Sequence, residues 1–210
     1  MIPLEAKHEA RRNTYWMNAA RAHDPTLHLH CVHVSELCAC FSAFLNLPLD
    51  QQTALKRSGL LHDIGKLKVP AAILQKPSPL TPEETTIVQA HTYLGYEMLL
   101  ENGETDELLL TTTRDHHERL DGSGYPRQLT APEISAAVRI VTLCDVFAAM
   151  TEPRPYVAAM KWDEALATMA KMRNRLDHDL LAGFATMMTA LHAPKKRFGP
   201  LGNRLRKKKT

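Results

Sequence analysis

Apolar residues recur at intervals of three and four along most of this chain, and regular alternation of apolar and polar residues is almost absent. This pattern is typical of amphipathic helices that bury one face in a shared core. The predicted fold class is therefore all-α, in a single domain without internal repeats. The predicted helices cover residues 5–22, 27–45, 50–65, 82–102, 105–117, 131–150, 162–175 and 179–192.

Start signals fix two of these helices most clearly. Thr81-Pro82-Glu83-Glu84 has a threonine suited to the N-cap, a proline at the first helical position and a glutamate three residues after the cap. Residues 130–133 repeat the same pattern, and Asp50 is expected to cap the third helix. Residues 67–80 contain three prolines and are expected to form an ordered loop.

Composition places the chain among ordinary globular proteins, with 210 residues, 44% hydrophobic and 23% charged. No apolar run reaches the roughly 18 residues that span a bilayer. The best candidate, residues 140–150, is interrupted by Asp145. The N-terminus is charged where a secretory signal is apolar, and the four cysteines match no metal-binding spacing. These features predict a cytoplasmic protein with reduced thiols and no membrane span.

Charge is distributed unevenly along the chain. Eight of the 26 Lys and Arg residues follow position 194, where no acid occurs, which leaves 18 bases against 23 acids in the body, a net charge of −5. We expect residues 1–21 to form a helical extension, residues 22–192 the domain and residues 193–210 a flexible basic tail. The tail is most simply a solvated segment, and an anionic partner or surface is the alternative.

The pair His62-Asp63 lies in an otherwise apolar helical segment, with Lys66 one turn later. Burying an imidazole and a carboxylate is costly unless something compensates for their desolvation, and a bound cation would do so. Four other predicted helices or helix ends carry further nitrogen and oxygen donors that a bundle could bring together. The candidate metal ligands are His30, His62, Asp63, His91, His116, His117 and Asp145.

Seven donors exceed what one first-row metal ion needs, so two ions are expected, with Asp63 as the natural bridging ligand. The alternative is that each histidine is an ordinary core residue. Two observations weigh against it. His116 and His117 stand side by side before a Gly-rich loop, and Asp145 shares a helix face with Val138 and Val141, which directs its carboxylate at the core.

An ordered series of motifs now identifies a family resemblance. The chain resembles the HD-GYP subfamily of HD-domain phosphohydrolases over roughly residues 22–185. A bare HD pair is a weak signal, whereas the ordered set with intact HHE and DGSGYP blocks is very specific. The matching segments are residues 24–25, His30, 61–66, 73–77, 80–84, 91–95, 116–118, 121–126, Asp145 and 154–156.

The resemblance implies an HD-domain-like helical bundle with a metal site in its core, and a cyclic-di-GMP phosphodiesterase of bacterial second-messenger signalling that yields pGpG, GMP or both. Carried over by position, His30, His62, Asp63 and Asp145 would hold one ion. Asp63, His91, His116 and His117 would hold the other. Iron or manganese is the expected metal, with zinc, magnesium and nickel as alternatives.

The resemblance also implies roles around the metals. The family's trinuclear members add a glutamate where this chain has Thr26, so two ions are expected. Asp63 and Lys66 would be catalytic, since two cations sharing a water lower its pKa and clamp the phosphate, and added positive charge stabilises the transition state. The expected substrate contacts are Lys66, Gly124, Tyr125 and Arg154.

Three positions depart from the family pattern. His33 replaces a usual arginine, Ala148 a usual aspartate, and Val157 a common basic residue. None is an expected metal ligand, so substrate affinity and selectivity are what they affect. The alternatives that stay open are hydrolysis of another cyclic dinucleotide or nucleotide, and a non-catalytic adaptor that binds the dinucleotide, or a partner protein through the GYP loop. A homodimer is a further alternative to a monomer.

Overall fold

The computed structural model describes residues 4–153 and 158–193. In these residues the chain forms ten α-helices and three short 3-10 turns, with no β-strand and a single isolated bridge between Asp121 and Thr130. The all-α fold class is therefore confirmed. The helices are α1 (Leu4–His23), α2 (Pro25–Phe44), α3 (Leu49–Leu61), α4 (Ala71–Leu74), α5 (Pro82–Gln89), α6 (His91–Glu101), α7 (Glu107–Asp115), α8 (Ala136–Thr151), α9 (Trp162–Met169) and α10 (His178–His192).

Helix α2 lies at the centre of the fold because two apolar cores meet on it. One core joins α2 to α8 and α10, where the rings of Phe147 and Phe41 each lie 5.1 Å from that of Phe184. The other core joins the start of α2 to α1, α3, α6 and α7. The metal-ligand candidates lie on the helices that border these two cores.

The same helix is the one described segment that is long and apolar enough to cross a membrane, with a mean hydropathy of 1.2 over an 18-residue window. Residues 140–150, the best candidate expected from the sequence, lie instead in α8, which has 16 residues. Half of the window in α2 is buried inside the protein, as in a core helix of a folded domain. The packing of Val34, Cys38 and Phe41 into the core accounts for its apolar character.

Helix α3 is shorter than expected. It ends at Leu61 rather than near Gly65, and a 3-10 turn over Ile64–Lys68 follows. The turn packs against α6 so closely that a Cβ on Gly65 would lie 1.8 Å from the carbonyl oxygen of His91. Only glycine allows this approach, which brings His62 and Asp63 beside the start of α6.

The predicted helix over 82–102 is divided into α5 and α6 at Ala90. Its start is as expected, because Thr81 and Glu84 form a capping box. At the break, the side chain of His91 donates to the carbonyl oxygen of Val88 at 2.6 Å, so a ring nitrogen replaces a backbone donor. The break places His91 at the first position of α6, facing Asp63.

Other helix boundaries also differ from the sequence-based expectation. Pro48, not Asp50, is the N-cap of α3, and Asp50 lies in its first turn. The capping box of Thr130 starts only a 3-10 turn and not a long helix. Ile134 follows in an extended conformation and packs into a small apolar cluster, so α8 begins later, with Ser135 as its N-cap. Residues 67–80 include the short helix α4, and α9 ends at Met169 rather than at residue 175.

The outer parts of the chain bear on the expected domain limits. Helix α1 packs Trp16, Met17 and Ala20 into the second core, so it is joined to the domain by apolar contacts. Residues 194–210, which make up most of the expected tail, lie outside the described residues. The domain limits therefore stay predictions. The four cysteines are free thiols in the described structure, as expected.

Candidate metal centre

The structure brings all seven candidate ligands into one cluster. They come from five places along the chain: α2, the end of α3, the start of α6, the end of α7 and the middle of α8. Their donor atoms form three overlapping groups, each with all its atoms within 4.8 Å of one another. The groups are Asp63, His91, His116 and His117; His30, His62 and Asp63; and His62, His116 and Asp145.

Asp63 lies between two sets of imidazoles. Its Oδ1 is 3.1 Å from Nε2 of His91 and 3.6 Å from Nε2 of His116. Its Oδ2 is 3.5 Å from Nε2 of His62 and 3.6 Å from Nε2 of His30. Each carboxylate oxygen thus faces a different set of nitrogens, which is the arrangement a bridging ligand requires.

Asp145 completes the side of the cluster that holds His30 and His62. Its Oδ1 lies 3.0 Å from Nε2 of His30 and 3.7 Å from Nε2 of His62. Val138 and Val141, on the same face of α8, are buried, as the helical spacing predicted. The carboxylate therefore points into the centre of the protein, where a cation is its natural partner.

Backbone carbonyls orient three of the imidazoles. Nδ1 of His62 donates to the carbonyl of Gly59 at 2.8 Å, and Nδ1 of His91 to that of Val88. Nδ1 of His116 lies 3.1 Å from the carbonyls of Thr112 and Thr113. Because carbonyls only accept, Nδ1 carries the proton in each ring, and the unprotonated Nε2 faces the centre as a ligand atom.

Two polar atoms at the centre test whether a cation fits. Among the described residues, Nε2 of His62 and Oδ1 of Asp63 are buried and have no hydrogen-bond partner. Unpaired buried polar atoms are rare and costly, and a metal ion would satisfy both. Imidazole nitrogens and carboxylate oxygens suit iron, manganese or zinc. The donor set therefore fits divalent metal ions.

Three of the candidate ligands already have the protonation state that metal binding requires. Burial lowers the pKa of His116 to about 4 and, together with the neighbouring His116, lowers the pKa of His117 well below its usual value. Burial alone would raise the pKa of Asp63, but Lys66 and His62 hold it well below its usual range. Neutral imidazoles and ionised carboxylates are the forms that ligate metals.

Lys66 lies at the edge of this cluster. Its Nζ is 2.5 Å from Oδ2 of Asp63, and its side chain is 23% exposed. Burial alone would lower the pKa of Lys66, but Asp63 outweighs this and raises it, so the ammonium stays charged at neutral pH. The structure thus places a fixed positive charge beside the central carboxylate.

The loop over residues 121–126 covers the His117 side of the cluster. The ring of Tyr125 stacks on that of His117, with centroids 4.8 Å apart and an interplanar angle of 26°. A Cβ on Gly124 would lie 2.4 Å from the Glu118 Cα, so only glycine lets the loop pack this closely. Burial raises the pKa of Tyr125, which keeps its hydroxyl protonated at neutral pH.

Glu118, the last residue of the HHE motif, anchors the far end of this loop. It is buried, and its carboxylate accepts hydrogen bonds from the backbone nitrogens of Arg127 at 2.6 Å and Leu129 at 2.9 Å. Arg154, an expected substrate contact, and Val157 lie outside the described residues.

Sequence reasoning missed Glu152. Its carboxylate receives hydrogen bonds from Nδ1 of His30 at 2.8 Å and from Nδ1 of His33 at 2.7 Å. Burial alone would raise the pKa of Glu152, but these bonds lower it to about 2. The same carboxylate and Asp145 raise the pKa of His30 to about 9, against burial, which lowers it. Spacing offered a signal, because Glu152, the residue just after α8, follows Asp145 by seven positions, the length of two helical turns.

Comparison with known proteins identifies the family. A family model described as "HD domain" matches residues 5–180. The chain belongs to the HD-domain family. Among curated proteins, this HD domain is 37% identical to the cyclic di-GMP phosphodiesterase PA4108 of Pseudomonas aeruginosa, over 77% of the chain and 39% of the relative. It is 40% identical to the 3'3'-cGAMP-specific phosphodiesterase 1 of Vibrio cholerae, over 67% of the chain and 32% of the relative.

Solved structures show the same fold for this HD domain. The HD domain of the phosphodiesterase PgpH from L. monocytogenes superposes with a TM-score of 0.65 at 17% identity, covering 84% of the chain and 96% of that domain. The chain spans less than half the length of the curated relatives above. The HD-GYP resemblance inferred from the motifs is confirmed.

Proposed function

We propose that this HD domain is a metal-dependent phosphodiesterase that hydrolyses cyclic di-GMP to pGpG, GMP or both in bacterial second-messenger signalling. The observation that carries the proposal is the position of Asp63, whose two carboxylate oxygens face separate sets of imidazole nitrogens. The names of curated relatives at 36–37% identity support the substrate.

We propose two ions, with iron or manganese as the metal. His30, His62, Asp63 and Asp145 would hold one, and Asp63, His91, His116 and His117 the other. When bound, such a pair supplies an acidified water at neutral pH and positive charge for the phosphate oxygens. Hydrolysis then breaks one P–O3′ bond and adds one water, which leaves a 5′-phosphate and a free 3′-hydroxyl.

The side chains around the cluster would bind and orient the substrate. Lys66 brings an ammonium to within 2.5 Å of the central carboxylate, where a phosphate on the metals would also lie. Its charge would stabilise the negative charge that gathers on phosphorus. Gly124 and the half-buried Tyr125, whose ring stacks on His117, would contact the substrate, and Arg154 is proposed as a second phosphate contact.

A second candidate substrate is 3'3'-cGAMP. The specific observation in its favour is identity of 40% and 42% to two Vibrio cholerae phosphodiesterases named for that dinucleotide. The two substrates share the phosphodiester ring and differ in one base, so the dimetal chemistry is common to both. The alternative to an enzyme is a non-catalytic adaptor that binds the dinucleotide or a partner protein.

Three further points are proposals that the relatives leave open. We place the domain in the cytoplasm, where its nucleotide substrate would be made and used. Protein partners would contact the loop over residues 121–126, and the basic tail over residues 193–210 would contact anionic partners. A homodimer is the proposed alternative to a monomer.

A hydrolysis assay with defined metal content tests the proposal. The full chain, purified anaerobically and loaded with Fe²⁺ or Mn²⁺, is offered cyclic di-GMP, 3'3'-cGAMP and cyclic di-AMP separately, and metals are counted by elemental analysis. We expect two metal ions per chain and fastest cleavage of cyclic di-GMP. If 3'3'-cGAMP is cleaved fastest, it replaces cyclic di-GMP as the proposed substrate. If no dinucleotide is cleaved at full metal occupancy, the proposal that the domain is an enzyme is refuted.

Asp63→Ala separates the enzyme from the adaptor. In an enzyme, this variant loses metal and turnover together, by roughly 1000-fold or more in rate. In an adaptor, binding of the dinucleotide or of a partner survives the change. Asp50→Ala, at an exposed position in the first turn of α3, is the matched control and is expected to keep both metals and full activity.

A further inference from the structure

His30 differs from the other oriented histidines in what holds its ring. His62, His91 and His116 each use a backbone carbonyl three or four residues earlier in the chain. Nδ1 of His30 instead bonds the carboxylate of Glu152, 122 residues away. The orientation of this one imidazole therefore depends on a side chain from another helix.

Glu152 lies at the end of α8, where it can serve both α8 and α2. It caps α8 as the residue after Thr151, and its backbone nitrogen donates to the carbonyl of Ala148 at 2.9 Å. Asp145 and Glu152 are seven residues apart, two helical turns, so both face α2. Ala148, which lies between them in the sequence, is fully buried.

His33 supplies the second contact of Glu152. It follows His30 by one turn of α2, and its Nδ1 lies 2.7 Å from Oε1 of Glu152 while His30 bonds Oε2. The carboxylate is 22% exposed and His33 is 37% exposed, so the bridge lies at the rim of the cluster. With each oxygen paired to a different imidazole, the carboxylate is held in one orientation.

We propose that Glu152 is a positioning residue that turns Nε2 of His30 toward Asp63 and Asp145, and that His33 holds Glu152 in place for this role. The inference rests on the metal site of the proposed function. A carboxylate that receives the second N–H of a metal-binding histidine fixes the ring and increases its basicity. Removing such a partner costs roughly 10- to 100-fold in metal affinity.

Metal titration of the full chain tests the inference, with Mn²⁺ as the probe and affinity measured against a competing chelator. Glu152→Gln is expected to weaken one of two ions by roughly 10- to 100-fold and leave the other near the wild-type value. That selectivity is expected because His30 belongs to only one ligand group, and a loss of folding would weaken both. Glu107→Gln, at an exposed position in the first turn of α7, is the matched control.

A double-variant cycle tests the part assigned to His33. His33→Ala is expected to weaken the same ion by a smaller factor, and to add less than about twofold when Glu152→Gln is already present. Additive losses in the double variant would overturn the role of His33. Glu152→Asp keeps a carboxylate and should recover part of the metal affinity that Glu152→Gln loses. If Glu152→Asp folds normally and recovers none of it, the positioning role is overturned.

Kinetics separate positioning from substrate contact. At saturating Mn²⁺ the Glu152→Gln variant should regain most of its kcat with an unchanged KM, because the missing metal is restored by mass action. A raised KM that persists at saturating metal would show that Glu152 contacts the substrate, and would overturn the inference. A wild-type chain that binds two ions without hydrolysing any dinucleotide refutes the proposed function and leaves this inference standing.

Discussion

The two ligand groups that share Asp63 differ in how they are held. His91 and His116 are fully buried, and their Nδ1 atoms bond backbone carbonyls three or four residues earlier in the chain. His30, on the other side of Asp63, depends on a carboxylate from the end of α8. Helix geometry alone orients the first pair, whereas the orientation of His30 requires a second side chain and correct packing of two helices.

A backbone contact reinforces the deeper group. The 3-10 turn after Asp63 packs directly against α6, so the distance between Asp63 and His91 is set by main-chain atoms of Gly65 and His91. No side chain stands between these segments at that point. The comparison therefore predicts that the deeper group is sensitive to backbone changes, whereas the orientation of His30 is sensitive to side-chain changes.

The largest effect is expected for Gly65→Ala. The added methyl would lie 1.8 Å from the carbonyl oxygen of His91, so α6 must move, and we expect the free energy of unfolding to fall by about 3 kcal/mol or more. Urea denaturation measures the change. Gly183→Ala in α10 is the control, since its nearest neighbour would be the Phe41 ring at 3.7 Å. Equal stability of the two variants would contradict the backbone-contact account.

Glu104→Gln tests the framework that joins the helices of the deeper group. Arg57 on α3 is buried and forms an ion pair with Glu104, between α6 and α7. Removing Glu104 leaves the buried Arg57 charge with only the more distant carboxylates of Glu9 at 3.4 Å and Asp106 at 3.7 Å, so we expect a loss of about 2 kcal/mol at neutral pH. Activity should be unchanged while the variant stays folded, because neither residue contacts the cluster. Glu101→Gln, at the exposed end of α6, is the control.

The same pair sets a pH dependence. Burial alone would raise the pKa of Glu104, but Arg57 and the backbone nitrogens of Thr105 and Asp106 lower it below its usual 4.5. Its stabilising contribution is therefore complete above the unfolded pKa and is lost as the pH falls through the lower folded pKa. The stability difference between wild type and Glu104→Gln should shrink below about pH 4.5. If the stability difference between the two proteins stays constant as the pH falls below about 4.5, the charge of Glu104 is not what stabilises the fold.

The smallest effect is expected for Thr142→Val. The hydroxyl of Thr142, on α8, donates to the carbonyl of His116 at 2.7 Å in a buried position. We expect a loss of about 1 kcal/mol in unfolding free energy and no change in metal affinity, since His116 keeps its own carbonyl contacts. Thr189→Val, on the exposed face of α10, is the control. A tenfold loss of metal affinity would show that the deeper group also depends on side chains.

Much of the fold and most of the ligand cluster could be predicted from local signals. Helical periodicity identified the all-α class, and the capping box at Thr81 identified the start of α5. The candidate ligands could be identified because each polar residue stood out in an apolar helix or beside a Gly-rich loop. His62, Asp63 and Asp145 are buried as that reasoning required.

The rest depended on contacts between distant segments. The end of α3 at Leu61 and the break at Ala90 follow from the close approach of Gly65 to α6, which no local pattern encodes. The spacing from Asp145 is a local signal for Glu152, but it does not reveal the partners His30 and His33, which lie more than a hundred residues earlier. The sequence showed that His33 and Ala148 depart from the family pattern. It did not show that Glu152 contacts His33.

Asp63 has one more consequence, which concerns the order of filling. A ligand shared by two ions couples them: occupancy of either position changes the binding free energy of the other, and by the same amount in both directions. With the two proposed ions bound, Lys66 would enter this balance as a third cation, since its ammonium lies 2.5 Å from Oδ2 of Asp63. The occupancy of the centre would therefore respond to metal concentration as a cooperative unit rather than as two independent sites.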